Sequence, residues 1–161
     1  MKMTVGRWVG VDVGGSWVRV VVSDEGGRFI ARTRERVDIT SSDAISSQIF
    51  RLTRSLCSER GLSVKALKGV GIASAGPLDM KEGVLVHPPN LPFERVALTK
   101  PVGEQLGLPI CLINDCAGAA LGETMFGAAT AGQSGQWATL PRVLRGRPHD
   151  RPRGGSASTC H

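Results

Sequence analysis

The 161-residue sequence contains no tyrosine, and aromatic residues make up only 4% of it. That scarcity removes the stacked aromatic platforms on which proteins hold single-stranded nucleic acid. No stretch approaches the ~20 apolar residues that a membrane-spanning helix requires. The first fifteen residues, MKMTVGRWVGVDVGG, lack the apolar core and cleavage site of a secretion signal. The four cysteines, Cys57, Cys111, Cys116 and Cys160, form no C-x-x-C pair. They also have no histidine at zinc-finger spacing, so no zinc site is expected. Cys57 and Cys111 fall in apolar stretches, which predicts buried, reduced thiols. Together these absences describe a chain expected in the cytoplasm, with no membrane partner.

What is present is enough for a core. Hydrophobic residues make up 41% and charged residues 21%, as in ordinary globular domains. The net charge of +6 is unevenly spread. Residues 129–161 hold Arg142, Arg145, Arg147, Arg151 and Arg153 against Asp150 alone, whereas residues 1–128 are nearly balanced. The basic signal belongs to the end of the chain, and nucleic acid is not an expected partner. Residues 129–161 also show no sustained hydrophobic period and concentrate Arg, Pro, Gly and Ser. They read as a poorly ordered tail after a domain spanning 1–128.

Within that domain, RWVGVDVG (7–14), WVRVVVSDEGG (17–27) and RFIARTRERV (28–37) read as three closely spaced strands. Tight turns at Gly14-Gly15 and Gly26-Gly27 would join them into an antiparallel meander. In residues 41–61, Ile45, Ile49, Leu52 and Leu56 fall at helical spacing, with Ser41 or Ser42 as cap and Gly61 as stop. A buried strand (67–76), a short helix (98–107), a second buried strand (108–115) and a small-faced helix (116–127) follow. This order predicts an α/β layered domain, a meander followed by parallel strands and helices. Ligands in such sheets sit beyond the carboxyl ends of the strands. Asp12, Gly76 and Asp115 all fall at those ends.

Three segments carry groups suited to chemistry. In DVGGS (12–16), Gly14 and Gly15 let the backbone approach an anion, with amide hydrogens and the Ser16 hydroxyl as donors. Asp12 is suited to holding a magnesium ion, directly or through water. The segment matches neither the P-loop spacing nor the dinucleotide fingerprint, because a strand follows it. The loop GIASAGPLDMKEGVLVHPPNLPF (71–93) offers a proline-stiffened rim, with Asn90 turned toward a polar pocket. Asn114 and Asp115 can both hydrogen-bond a hydroxylated ligand. Asp115 sits where a helix dipole favours negative charge, so it could accept a hydroxyl proton as that oxygen attacks phosphorus.

In this order, VGVDVGGSWVRVVVSDEGG, GVGIASAGPLDMKEGVLVHPPNLPF and LPICLINDCAGAALGETMFGA resemble the N-terminal half of sugar kinases of the ROK family. The family takes its name from repressors, open reading frames and kinases, and belongs to the hexokinase–actin–chaperone ATPase superfamily. The resemblance covers about residues 6–128. It implies a ribonuclease H-like lobe of the actin-like ATPase fold. The implied activity is of glucokinase or hexokinase type, with ATP and Mg2+ as cofactors and a glucose-like hexose as substrate. By resemblance, Asp12, Gly14, Gly15 and Ser16 form the first phosphate loop. Asn114 binds the sugar, Asp115 is the base for its 6-hydroxyl, and Gly76 and Asn90 line the sugar pocket.

Two positions depart from the family pattern. Trp17 stands where the family often has Lys, and Ala117 replaces the second Asn of an N-D-x-N pattern. Family members also continue into a second domain with another phosphate loop, an adenosine pocket, further sugar ligands and often a zinc site. Arg/Pro-rich sequence stands in its place here, as expected of a lost reading frame or a shortened gene. The chain is therefore expected to have little or no kinase activity alone and to expose surface that favours self-association. The alternative reading is a sugar-responsive regulator without enzymatic activity. ROK repressors place a helix-turn-helix before this fold, and the first motif begins here within a dozen residues of Met1.

Overall fold

The computed structural model describes residues 6–127, and the expectations for residues 129–161 lie outside the described residues. Strands β1 (Arg7–Val13), β2 (Trp17–Asp24) and β3 (Phe29–Arg36) form the expected antiparallel meander. Helix α1 (Ala44–Glu59) follows, with Ile45, Ile49, Leu52 and Leu56 all buried along one face. Its N-cap is Asp43, with no side-chain cap bond, rather than the expected Ser41 or Ser42; the Ser41 hydroxyl oxygen accepts the Ala44 N–H at 3.1 Å in the turn just before the helix. Its end closes as a Schellman motif: Leu62 N–H donates to Cys57 C=O (2.8 Å) and Gly61 N–H to Ser58 C=O (3.0 Å). Gly61 has φ 61°, the left-handed conformation this closure needs.

Strand β4 (Leu67–Ser74) then enters the sheet, followed by three short strands, β5 (Leu78–Asp79), β6 (Val84–Val86) and β7 (Arg95–Ala97). Helix α2 (Thr99–Leu106), strand β8 (Ile110–Asn114) and helix α3 (Asp115–Phe126) complete the described chain. The main sheet has the order β3-β2-β1-β4-β8, with β4 parallel to β1 and β8 parallel to β4. The fold is thus the mixed α/β arrangement expected from the sequence.

The small antiparallel sheet β5-β6-β7 was not anticipated; its segment reads as a loop. Strands of two or three residues carry too little alternation to register as a period. A second difference concerns cysteine. Cys57 is buried in α1 as expected, and burial pushes its thiol pKa up. Cys111 is exposed, because β8 is an edge strand and Cys111 faces the same side as the exposed Gly71, its register partner on β4.

The core lies between the sheet and the α1–α2 pair. Val9, Val11 and Val13 of β1, Val18, Val20 and Val22 of β2, and Ile72 of β4 are all at most 3% exposed. Each such side chain contributes about 1.5–3 kcal/mol on burial. Helix α3 lies on the opposite face, where the space above Gly118 is bounded by Ala73 and Ile113.

Candidate functional site

The parallel register aligns three strand ends. Val13 of β1 pairs with Ser74 of β4, and Ser74 with Asn114 of β8. The Gly14–Ser16 turn, the Ala75-Gly76 turn and Asp115 therefore emerge side by side at one edge of the sheet. Ser74 fastens the first two: its hydroxyl is buried and donates to Val13 C=O at 2.8 Å. The sequence reading missed Ser74, although a polar residue ending an otherwise apolar strand was visible.

Backbone bonds at both ends hold the first turn. Gly14 N–H donates to Trp17 C=O (2.9 Å), and Val37 N–H donates to Ser16 C=O (3.1 Å). A Cβ at Gly15 would collide with the Cβ of Asn90, so glycine here admits Asn90 against the turn. Asn90 belongs to the 87–94 loop, which the β6–β7 hairpin presents. His87 N–H donates to Glu94 C=O at 2.6 Å, and His87 takes a left-handed φ of 42° as the chain turns. The adjoining prolines fold onto the second turn, where Gly76, at φ 97°, lies against Pro89. Gly15, Gly76 and Asn90 are thus brought together as one rim, with the Asn90 side chain exposed rather than enclosed.

Asn114 and Asp115 mark the third strand end. The Asn114 side chain caps α3, Oδ1 accepting the Cys116 N–H at 3.1 Å and the Ala117 N–H at 3.4 Å. Capping was not part of the sequence reading, though Asn before a helix is a standard cap signal. Among the described residues its amide nitrogen makes no hydrogen bond and is left as a donor. Ala117, where the family pattern has Asn, serves here through its backbone. Asp115 is half-buried in the first turn of α3, and its Oδ1 accepts the Cys116 N–H at 2.8 Å. The negative charge of Asp115 holds the Cys116 thiol above its ordinary pKa, with a hydrogen bond to Asp115 and slight burial adding to the effect. The Cys116 thiol is exposed, and the direction of this shift disfavours its thiolate.

Asp12 points to the face opposite the core and forms an ion pair with Arg19 at 2.6 Å. The β1–β2 register, in which Val13 pairs with Val18, places the two residues opposite each other. More cation lies beside the turn, where the Trp17 ring sits 4.9 Å from the Arg34 guanidinium and 4.5 Å from that of Arg36. Among the described residues no group of three His, Cys, Asp or Glu could hold a metal ion. Mg2+ commonly takes only one or two carboxylates, completing its shell with water and substrate phosphates. Asp12, with one oxygen engaged by Arg19, fits that mode and not an all-protein cage.

This arrangement sets backbone amides, a hydroxyl and cations at one strand end, and an amide and a carboxylate two strands away. Neighbouring strands are about 4.8 Å apart, so the two groups are separated by roughly 10 Å. That separation suits a ligand with an anionic part and a hydroxylated part.

Residues 8–140 match the ROK family. A glucokinase of Pyrobaculum calidifontis is 32% identical over 120 residues, which is 74% of this chain and 36% of that protein. A xylose repressor of Caldicellulosiruptor bescii is 26% identical over 124 residues, 76% of this chain and 31% of the repressor. Among solved structures, a ROK glucokinase from Streptomyces griseus in complex with glucose and AMPPNP superposes with a TM-score of 0.67 at 31% identity. That match covers 77% of this chain and 38% of the glucokinase. The chain spans about a third of the length of the curated relatives it matches.

Proposed function

The chain belongs to the ROK family, and from that premise we propose that it carries the sugar-binding, base-supplying lobe of an ATP-dependent hexose kinase. The observation that carries this reading is the in-register alignment of Val13, Ser74 and Asn114, which sets the Gly14–Ser16 turn and Asp115 at one edge. The Gly15 and Ser16 amides and the Ser16 hydroxyl receive the phosphates of ATP, on a turn that Gly14 closes through its bond to Trp17. Asn114 donates to a sugar hydroxyl, while Gly76 and Asn90 border the sugar. Asp115 accepts the 6-hydroxyl proton as that oxygen bonds to the terminal phosphorus, whose bond to the ADP oxygen breaks. Magnesium supplies charge neutralisation on the phosphates, and Asp12 is the carboxylate that would hold it. Phosphoryl transfer asks mainly for such positioning and charge balance.

A coupled assay of ADP release across hexoses tests this reading on two proteins. One is the 161-residue chain, expected to show little or no turnover. The other is residues 1–128 joined to the remaining part of a ROK glucokinase, expected to phosphorylate a hexose. In the joined protein, Asp115→Asn should lower kcat by about 10²–10⁴-fold, the range for losing a general base, with a far smaller change in sugar KM. Near-normal turnover would leave Asp115 as a sugar ligand or helix residue only.

The similarity to xylose repressors supports a second reading, a regulator that binds sugar without phosphorylating it. On that reading the joined protein binds sugar in calorimetry and releases no ADP.

A further inference from the structure

Helix α1 carries one side-chain amide, and it is buried. Gln48 falls between Ile45 and Leu52 at helical spacing and is 4% exposed, where an apolar residue would be the ordinary choice. A buried amide is costly unless its donors and acceptor are matched, and here they are. Gln48 Nε2 donates to Arg36 C=O at 2.7 Å and to Glu35 Oε2 at 3.4 Å. Its Oε1 accepts the Asp38 N–H at 3.0 Å. The reverse amide orientation would set donor against donor at Asp38 and acceptor against acceptor at Arg36, so the network fixes which atom is which. The amide thus grips the end of β3 on both sides of Val37.

Arg36 C=O and Val37 N–H belong to one peptide unit, and that N–H donates to Ser16 C=O at 3.1 Å. The unit is planar, so fixing its carbonyl from α1 also aims its N–H at the phosphate turn. The bonds run in series from Gln48 through the 36–37 peptide to Ser16, and each polarises the next. Ser16 itself lies outside the β1–β2 ladder, whose last pair is Val13 with Val18. Resting on the kinase reading above, we propose that Gln48 is a positioning residue for the donor phosphates. It presets Ser16 from the core side of the sheet, so that phosphate binding need not order the turn. Such preorganisation lowers the entropic cost of binding. The hexose is served by other strand ends, at Gly76 and at Asn114-Asp115, so the effect falls on the donor.

Gln48→Met keeps the length and volume of the side chain and removes all three bonds. In the 161-residue chain, hydrogen exchange should then quicken about tenfold or more at the Val37 and Gly14 amides, with the centres of β1 and β4 unchanged. Uniform quickening would make Gln48 a general stabiliser and overturn the proposal, as would an unchanged Val37. Gln48→Glu, ionised at about pH 8, keeps the acceptor and loses the donors. It should match Gln48→Met at Val37 and serves should that variant fail to fold. In the joined protein, Gln48→Met should raise the ATP KM about tenfold and leave the hexose KM within about twofold. Ile49→Ala, a neighbouring core truncation, should leave both KM values level. An ATP KM unchanged in Gln48→Met, or raised equally in Ile49→Ala, would overturn the proposal. A joined parent that releases no ADP would instead overturn the kinase reading, and exchange at Val37 then decides the anchoring by itself.

Discussion

On one face of the main sheet Val9, Val11 and Val13 lie under helices, and on the other Gly10 and Asp12 of the same strand border a groove beneath helix α3. Alternate residues of a strand point to opposite sides, so β1 serves both faces with seven residues. The closed face is a run of β-branched side chains against α1 and α2, with little polarity to satisfy. Among the described residues, the open face carries glycines, arginines and the Asp12 carboxylate beneath helix α3. Stability is concentrated on the first face, while the groups suited to ligands lie on the second and along the strand ends.

The sharpest way to break this contrast is to cut equivalent amounts of side chain from each face. Ile49→Ala, in a residue with no exposed surface, should cost about 2–5 kcal/mol in urea unfolding. Met125→Ala should cost less than about 0.5 kcal/mol. Similar losses from the two would show that the open face is packed in solution.

Asn114→Ala comes next in size, because it removes the α3 cap. The expected cost is about 0.5–2 kcal/mol, read from the same unfolding curves, with Asn114→Asp close to the parent. No cost would mean that α3 is held by contacts other than its cap.

A smaller effect concerns the strand-end charges. Asp115→Asn removes the negative charge that raises the Cys116 thiol pKa. Its alkylation rate at mildly alkaline pH should rise roughly twofold to threefold, measured on the Cys116 peptide by mass spectrometry. An unchanged rate would mean that Asp115 exerts no such field.

The smallest effect should come from acid titration of three surface carboxylates, Glu35, Asp24 and Asp38. Glu35 is drawn below its ordinary value of 4.5 mainly by its hydrogen bond from Arg51. Asp24 and Asp38 are drawn below 3.8 mainly by the Arg28 backbone N–H and the Thr40 hydroxyl. Carboxylates lowered in the folded state stabilise it above their unfolded pKa and lose that contribution as pH falls through the folded one. The urea midpoint should therefore hold level from neutrality to about pH 5 and decline slightly below about pH 4.5. Improved stability in acid would contradict the direction of these shifts.

Much of the closed face was legible from residue order. Ile45, Ile49, Leu52 and Leu56 specify α1 by spacing, and the valines of β1 and β2 specify a meander by alternation. Strand ends were also legible, which is why Asp12, Gly76 and Asp115 could be grouped before any coordinates. What escaped depends on contacts distant in sequence or on elements too short to repeat. The β6–β7 hairpin that brings Asn90 to Gly15 has three-residue strands. The exposure of Cys111 follows from β8 lying at an edge, which strand order decides and local hydrophobicity does not. The groove depends on Gly71 and Gly122, whose missing side chains matter only once β4 and α3 are superposed.

The parallel register of β1 and β4 also sets a timetable for synthesis. β1 lies at the centre of the sheet, yet it is made well before β4. One of its edges is paired by β2 within a few residues, while the other waits for β4; Val13 and Ser74, which the buried hydroxyl joins, are 61 residues apart. At about 5–20 residues per second, that edge remains an open row of backbone donors and acceptors for roughly 3–12 seconds. During that interval the nascent meander can recruit a strand from a neighbouring chain. Its other margin is protected by Arg32, Arg34 and Arg36 on β3, since charged side chains discourage edge-to-edge pairing. The exposed interval on β1 has no such guard, and its apolar valines make it the point at which slowed translation would most readily divert folding into aggregation.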